Sequence, residues 1–395
     1  MSPQQITLVD IGRTYWPILA ASFLVSVVAT PICRRIALRW NLVDRPDEWL
    51  KPHKKPVAYL GGLAIFLGWA AGVLLSFHLF EGVENVHSVA GTVPTVNTIM
   101  MAGIFLAGLG VMVLGLLDDL SGVSAKVKLF ATVAAGALLM LVGLGDDSIL
   151  MVLRSSGLPA EDIPPWLLVA YSVPLTIFIT VGACNATNLI DGVDGLCSGV
   201  LGIIAAGFLV LSINHHLWSG WHPWTVQQVT ISLAMMGAAL GFLPFNRNPA
   251  RIFMGDAGSM LLGLNAAILI LLFLEANVLR WLLASIMVFG LPLADMSLTL
   301  VRRWRNERPL MKGDRSHFYD QLLDRGWPVH RVVKISYALA AVYVVFGCLA
   351  IQLRTRYIVF LYGLVVLATV WLIAKFKMVR LEKPRQPDRA ATREA

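Results

Sequence analysis

Residues 245–259 read Phe245-Asn-Arg-Asn-Pro-Ala-Arg-Ile-Phe-Met-Gly-Asp-Ala-Gly-Ser259, a short polar stretch punctuated by glycine. It separates two long apolar runs, Val229–Leu243 and Met260–Leu274. Runs of that length belong in a bilayer, so the turn between them belongs at one membrane face. Asp256 is a carboxylate of the kind Mg²⁺ takes together with phosphate oxygens. Gly255 and Gly258 would let backbone amides approach a phosphate, and Ser259 is placed to cap the following helix. That helix would turn the positive end of its dipole toward the anion. A plain helix-connecting turn has a similar composition, so the stretch gains meaning only from where the other polar residues fall.

Of 395 residues, 57% are hydrophobic and 14% charged, against about 25% charged in a soluble domain. The expected fold is therefore an all-α, polytopic membrane bundle. Apolar runs near 16–33, 59–80, 98–117, 128–144, 166–183, 196–213, 229–244, 257–275, 278–301, 335–351 and 356–375 give about eleven spans of the length that crosses a hydrocarbon core. The near-continuous stretch around 257–301 allows ten. Residues 1–380 read as one transmembrane unit, and 381–395 as a charged, disordered tail.

Lys and Arg set the orientation. Arg34, Arg35, Arg39, Arg45, Lys51, Lys54 and Lys55 crowd one loop, and Arg303, Arg305, Arg308, Lys312, Arg315, Arg325, Arg331 and Lys334 another. Loops of opposite parity are poor in them, which places the N-terminus outside and the basic loops and C-terminus in the cytoplasm. The net charge of +8 follows largely from this bias and from attraction to anionic membrane lipids. It needs no nucleic-acid partner. Cys33, Cys184, Cys197 and Cys348 lack paired spacing and read as small buried hydrophobes. His215, His216 and His222 are expected as surface residues of the opposite face, beside an aromatic belt of Trp218, Trp221 and Trp224.

Four further polar stretches fall at junctions of the basic side. The first loop, 43–62, carries prolines at 46, 52 and 56, which forbid a helix and favour an extended path. Its His53, Lys54 and Lys55 could meet a phosphate or lipid headgroups, and Gly61-Gly62 would admit a close neighbour. At the end of the third span stand Asp118 and Asp119, with Lys128 nearby. Adjacent carboxylates after an apolar run are costly, and neighbours on a helix point about 100° apart, so one could face a site while its fellow binds a basic partner. Asn185-Ala-Thr-Asn-Leu-Ile-Asp-Gly-Val-Asp-Gly195 sets Asn185, Asn188, Asp191 and Asp194 at steps of three, with two glycines arguing against a regular helix throughout. Finally, Arg315 and His317 offer a phosphate clamp and a proton relay.

A transporter would place its key polar groups near the bilayer midplane. Here they gather at one interface, which fits an enzyme joining a soluble anionic donor to a lipid in the leaflet. A non-catalytic lipid-phosphate transporter is the competing class. A CDP-alcohol phosphotransferase would need a different aspartate spacing.

With these motifs in order, the chain from about 44 to 331 resembles the polyprenyl-phosphate N-acetylhexosamine-1-phosphate transferases, a family that includes phospho-MurNAc-pentapeptide translocase. The resemblance is carried by His53-Lys54 with Gly61-Gly62, Asp118-Asp119 with Lys128, the 185–195 stretch, Asn246 through Phe253-Met-Gly-Asp256, and Asp314-Arg-Ser-His317. It implies transfer of a sugar 1-phosphate from a UDP-N-acetylhexosamine to undecaprenyl phosphate, with release of UMP, in a bacterial inner membrane with the site on the cytoplasmic face. It further implies Mg²⁺ (with Mn²⁺ as a substitute) held by Asp256 and Asn188. Asp118, Asp119, Asp191 and His317 would be catalytic. His53, Lys54, Lys128, Asn185, Asp194, Asn246, Phe253 and Arg315 would bind substrate, with Phe253 stacking on uracil. A homodimer is compatible with the resemblance. The single histidine of Asp314-Arg-Ser-His-Phe-Tyr-Asp320 departs from the family's histidine runs. The Asp-Arg-x-His start favours GlcNAc as the sugar, with QuiNAc, FucNAc and MurNAc-pentapeptide as alternatives.

Overall fold

The computed structural model describes residues 8–45, 56–80, 98–145, 164–219, 224–276, 278–307, 317–376, 378 and 379. Among them are thirteen helices: α1 (Leu8–Arg39), α2 (Gly61–Phe80), α3 (Thr98–Ser121), α4 (Ala125–Leu141), α5 (Pro165–Leu189), α6 (Leu196–Ser219), α7 (Thr225–Asn246), α8 (Gly255–Leu274), α9 (Leu279–Val288), α10 (Gly290–Arg305), α11 (Phe318–Asp324), α12 (Val329–Ala350) and α13 (Thr355–Lys375). The all-α membrane architecture is as the composition predicts.

Nine of these helices are long and apolar enough to cross a membrane: α1, α2, α3, α5, α6, α7, α8, α12 and α13. The span expected at 278–301 is instead two helices, α9 and α10, bent by 72° at their junction. Proline explains the break. Pro292 has no N–H, and its ring would strike the carbonyl four residues back, at Val288, where α9 ends. If the bent pair counts as one crossing, the described total is ten. The span expected at 128–144 is the 17-residue α4, shorter than the others.

Helix α8 is the axis. Every residue from Ala257 to Leu274 is buried, because α2, α3, α5, α7 and α9 surround it. By contrast α13 buries only Ile358 and Val365 and presents most of its remaining side chains outward. In lipid, helices associate by close packing and interhelical hydrogen bonds rather than by hydrophobic drive. The α1–α7 contact shows both, as Ser26 on α1 donates across to the Ala238 carbonyl of α7 at 2.9 Å.

The first loop returns as an antiparallel pair, β1 (Val43–Asp44) with β2 (Val57–Ala58), and Ala58 makes a parallel bridge to Ile252. This small ladder ties the loop before α2 to the turn before α8. All four cysteines are free, three of them buried.

Two histidines depart from expectation. α6 runs on to Ser219 rather than ending near 213, which carries His215 and His216 into the bundle, where both are buried. The His215 ring meets Trp281 edge-on at 4.7 Å, and its Nδ1 lies 3.3 Å from Gln228 Oε1. Trp218 does face outward, 60% exposed. His222, Trp221 and the 381–395 tail lie outside the described residues.

Candidate active site

The turn into α8 is built by close backbone contact. Gly255 has φ +63°, a left-handed conformation that L side chains resist, and a Cβ there would lie 2.3 Å from Asp119 Oδ2. Gly62 admits α2 equally closely, since a Cβ on it would lie 2.4 Å from the Gly258 nitrogen. The glycines thus serve packing within the chain. Ser259 is not the helix cap: α8 already begins at Gly255, and the Ser259 hydroxyl donates back to the Gly255 carbonyl at 3.0 Å. Asp119 occupies the helix N-terminus instead. Its Oδ1 accepts from the Asp256 amide at 2.8 Å and its Oδ2 from the Ala257 amide at 3.3 Å. The dipole end expected to face a phosphate therefore faces this carboxylate.

Asp118, one residue earlier, turns another way. Its Oδ1 accepts from the Val123 amide at 2.6 Å, which closes the α3–α4 turn. Its Oδ2 lies 2.5 Å from Lys128 Nζ, and the same ammonium lies 2.5 Å from Asp256 Oδ2. Two carboxylates from α3 and α8 thus share one cation from α4. Asn188, in the last turn of α5, donates its amide to Asp256 Oδ1 at 2.8 Å and to Ser259 Oγ at 3.1 Å. In this arrangement Asn188 turns nitrogen rather than oxygen toward the cluster and holds the Asp256 carboxylate in place. Among the described residues no three His, Cys, Asp or Glu side chains converge on one point. The oxygen donors at hand, Asp256 and Asp118, match the one or two carboxylates from which Mg²⁺ is held when phosphates and water complete its shell. A positive charge already sits between them as Lys128, so the donor chemistry fits a hard cation.

The 185–195 stretch divides as its glycines suggest. α5 ends at Leu189, Ile190–Gly195 form turns, and Gly195 takes φ +76°. Asn185 is exposed and donates back to the Val181 carbonyl at 2.7 Å, away from Asp256. Asp191 is half-buried, and among the described residues its carboxylate accepts no hydrogen bond. Burial, with Asp256, Asp119 and Asp194 adding repulsion, pushes its pKa well above the usual carboxylate range. Asp194 Oδ2 accepts from Asn248 at 2.8 Å and from the Ala250 amide at 2.9 Å, fixing the loop before α8. Asn246 is buried: its Oδ1 accepts from the Gly195 amide (3.0 Å) and Ser198 (3.1 Å), while its Nδ2 donates to the Ile252 carbonyl (3.1 Å). Together the two side chains hold the two turns in place.

His317 is buried at the start of α11. Its Nδ1 lies 2.8 Å from Asp295 Oδ2 and 3.2 Å from Thr299 Oγ1, and its ring stacks on Tyr319 with centroids 5.2 Å apart. Tyr319 in turn donates to the Leu189 carbonyl at 2.7 Å, and its hydroxyl fills the space where a Cβ on Gly192 would fall. Tyr319 thereby places the histidine helix directly against the 185–195 turn. Phe253 is half-buried and meets Tyr59 edge-on at 6.4 Å. Burial and the nearby Asp44, Asp119 and Asp256 raise the Tyr59 hydroxyl's pKa, so Tyr59 belongs to the same neighbourhood. Sequence reading passed over Asp295, Tyr319 and Tyr59. For Asp295 the signal was present, as one acid inside an apolar span. His53, Lys54 and Arg315 lie outside the described residues.

Comparison with known proteins shows the family. The profile described as "Glycosyl transferase family 4" matches residues 101–274, a range that contains Asp118 through Asp256. A Bacillus subtilis (strain 168) protein named "Probable undecaprenyl-phosphate N-acetylglucosaminyl 1-phosphate transferase" is 33% identical, covering 89% of this chain and 85% of its own length. A "Decaprenyl-phosphate N-acetylglucosaminephosphotransferase" of Mycobacterium tuberculosis (strain CDC 1551 / Oshkosh) is 32% identical, covering 82% and 79% respectively. An Anoxybacillus flavithermus (strain DSM 21510 / WK1) "Phospho-N-acetylmuramoyl-pentapeptide-transferase" is 29% identical, covering 82% and 94%.

Proposed function

The chain belongs to glycosyl transferase family 4, and from that premise we propose that it transfers N-acetylglucosamine 1-phosphate from UDP-GlcNAc to undecaprenyl phosphate. UMP leaves, and the product is a polyprenyl-pyrophosphoryl sugar that starts a cell-envelope polysaccharide. The observation that carries the reading is the shared ammonium of Lys128 between Asp118 and Asp256. It draws the ends of three helices into one charged cluster beside Asn188 and Asp191. Two relatives named for N-acetylglucosamine are 33% and 32% identical, against 29% for a pentapeptide transferase and 26% for a further N-acetylglucosaminyl enzyme, and the first two support GlcNAc as the donor sugar.

In the reaction an oxygen of the acceptor phosphate attacks the sugar-bearing phosphorus, and the bond from that phosphorus to the UMP oxygen breaks. Two anions must meet, so positive charge has to offset their repulsion. Asp256 and Asp118, with Asn188 holding Asp256, would carry Mg²⁺, which when bound supplies charge to the donor's diphosphate. Lys128 would stabilise charge growing on the transferred phosphoryl group. Asp191, beside this cluster, would receive a proton from the acceptor phosphate. Asp119 serves by fixing the start of α8, and Asp194 and Asn246 by fixing the loop before it. His317 would donate to a phosphoryl oxygen, with Asp295 and Thr299 setting its ring. Arg303 and Arg305 end α10 and Arg34 reaches the Arg251 carbonyl, so basic residues gather at this end of the bundle. That supports a cytoplasmic site in a bacterial inner membrane. A homodimer forms no part of the proposal.

The test uses purified protein in detergent with undecaprenyl phosphate, Mg²⁺ and a panel of UDP-N-acetylhexosamines. UMP release with UDP-GlcNAc, matched by label entering the lipid phase, is the expected outcome. Turnover with a different sugar alone would overturn the donor assignment. Silence from folded protein across the panel would overturn the reaction.

A further inference from the structure

The chain just past α13 makes contacts that the transfer reaction alone does not explain. The last carbonyls of a helix have no partner within the helix and need donors from elsewhere. In α13 the chain's own Phe376 and Met378 amides supply some of them, whereas the carbonyls of Phe376 and Met378 beyond the helix find donors at the two helices that hold His317. Arg302 Nε of α10 donates to the Met378 carbonyl at 2.8 Å, and Gln321 Nε2 of α11 donates to the same oxygen at 2.9 Å. Arg325, the C-cap of α11, donates to the Phe376 carbonyl. The Met378 amide donates back to the Ile373 carbonyl at 2.9 Å, which fastens the segment to α13.

The register of these donors is informative. Asp295, Thr299 and Arg302 stand at i, i+4 and i+7 on α10, along one face. His317 is the N-cap of α11 and Gln321 lies four residues on. The α10–α11 seam is therefore closed twice. Asp295 and Thr299 close it through His317, and about two helical turns farther along, Arg302 and Gln321 close it through one backbone oxygen. Arg302 is 1% exposed, and its contact with the half-buried Met378 is partly shielded from the surroundings.

We propose that the backbone of Phe376 and Met378 is a splint that sets the position of His317 against Asp295, with Arg302 and Gln321 as its positioning residues. The effect on transfer rests on the role given to His317 above. The splint itself does not.

Two variants test it in the purified full-length protein: a chain ending at Lys375, and Gln321→Glu, which puts an acceptor where the Met378 carbonyl needs a donor. A chain lacking only residues 385–395 is the control. The first readout is the rate at which diethyl pyrocarbonate modifies His317, followed by peptide mass spectrometry, with the exposed His330 as internal reference. Both variants should raise the His317 rate several-fold relative to His330, and the control should not. An unchanged ratio in folded Gln321→Glu protein overturns the splint. The second readout is steady-state transfer, in which kcat should fall about tenfold with donor KM little changed, the pattern of a displaced group. Faster modification with undiminished kcat leaves the splint standing and removes His317 from the proposed chemistry.

Discussion

Asp119 and Asp256 are 137 residues apart in sequence, yet the carboxylate of the first accepts the backbone amide of the second at 2.8 Å. The end of α3 therefore caps the start of α8 across the chain. Asp119→Ala should cost about 1–2 kcal/mol of stability, the scale of a lost helix cap, and appear as a lower unfolding temperature in detergent. Asp118→Asn, which leaves that cap intact, should abolish UMP release with a much smaller thermal shift. Equal shifts for the two would remove the distinction.

Gly255→Ala tests the same junction from the other side. The left-handed backbone costs an alanine about 1–2 kcal/mol, and its Cβ would press on the Asp119 carboxylate. Loss of thermal stability together with transfer is expected. A variant with full activity and an unchanged melt would mean that the turn is not held as tightly as its geometry implies.

Lys128→Met should separate cation binding from turnover. Removing the ammonium leaves Asp118 and Asp256 facing each other without compensation, so Mn²⁺, titrated by electron paramagnetic resonance, should bind more tightly than to wild type. Transfer should nevertheless fall on the order of 100-fold, as when a group that stabilises transition-state charge is removed. EDTA should silence the wild-type enzyme and added Mg²⁺ restore it. Weaker Mn²⁺ binding by Lys128→Met would refute the idea that lysine and metal share one site.

Asp295→Asn keeps the size of the side chain but weakens the 2.8 Å contact with His317. Supporting partners of this kind usually contribute about 10–100-fold. The loss is expected in kcat, with donor KM nearly unchanged. An equal loss in both parameters would instead indicate a collapsed site.

Asp191 makes stability depend on pH. Its folded pKa is raised by burial and by neighbouring carboxylates, so above the ordinary carboxylate pKa of about 4 the folded state binds more protons than the unfolded one. Stability contributed by this group is present at low pH and lost as pH rises toward the folded pKa. Asp191→Asn, permanently neutral, should flatten that slope and melt higher than wild type on the alkaline side. Parallel melting curves across the pH range would show that Asp191 is not strained in this way.

What the sequence revealed and what it hid follow from the range of each signal. Apolar runs and polar interruptions are local, so the spans and the motifs around Asp118, Asn188 and Asp256 could be read directly. Partners across the fold could not. The spacing of Asn185 and Asn188 looks equivalent in sequence, yet one donates to its own helix and the other to Asp256. His215 looked like a loop residue because its helix continues through polar Asn214-His215-His216, stabilised by packing against Trp281. The bend at Phe289 was legible in Pro292 and was obscured by the unbroken hydropathy on either side of it.

Helix α8 and helix α13 carry comparable apolar sequences, but one is enclosed by protein and the other faces outward. Their freedom to vary should differ accordingly. On α13 any side chain that dissolves in lipid will serve, so a mutational scan should tolerate exchanges among Leu, Val, Ile and Phe with little regard for shape. Along α8 each position is bounded in volume from all sides, and the same exchanges become errors of fit. A spectroscopic label intended to leave the enzyme undisturbed therefore belongs on the outward face of α13, and one intended to report on the integrity of the site belongs at the start of α8.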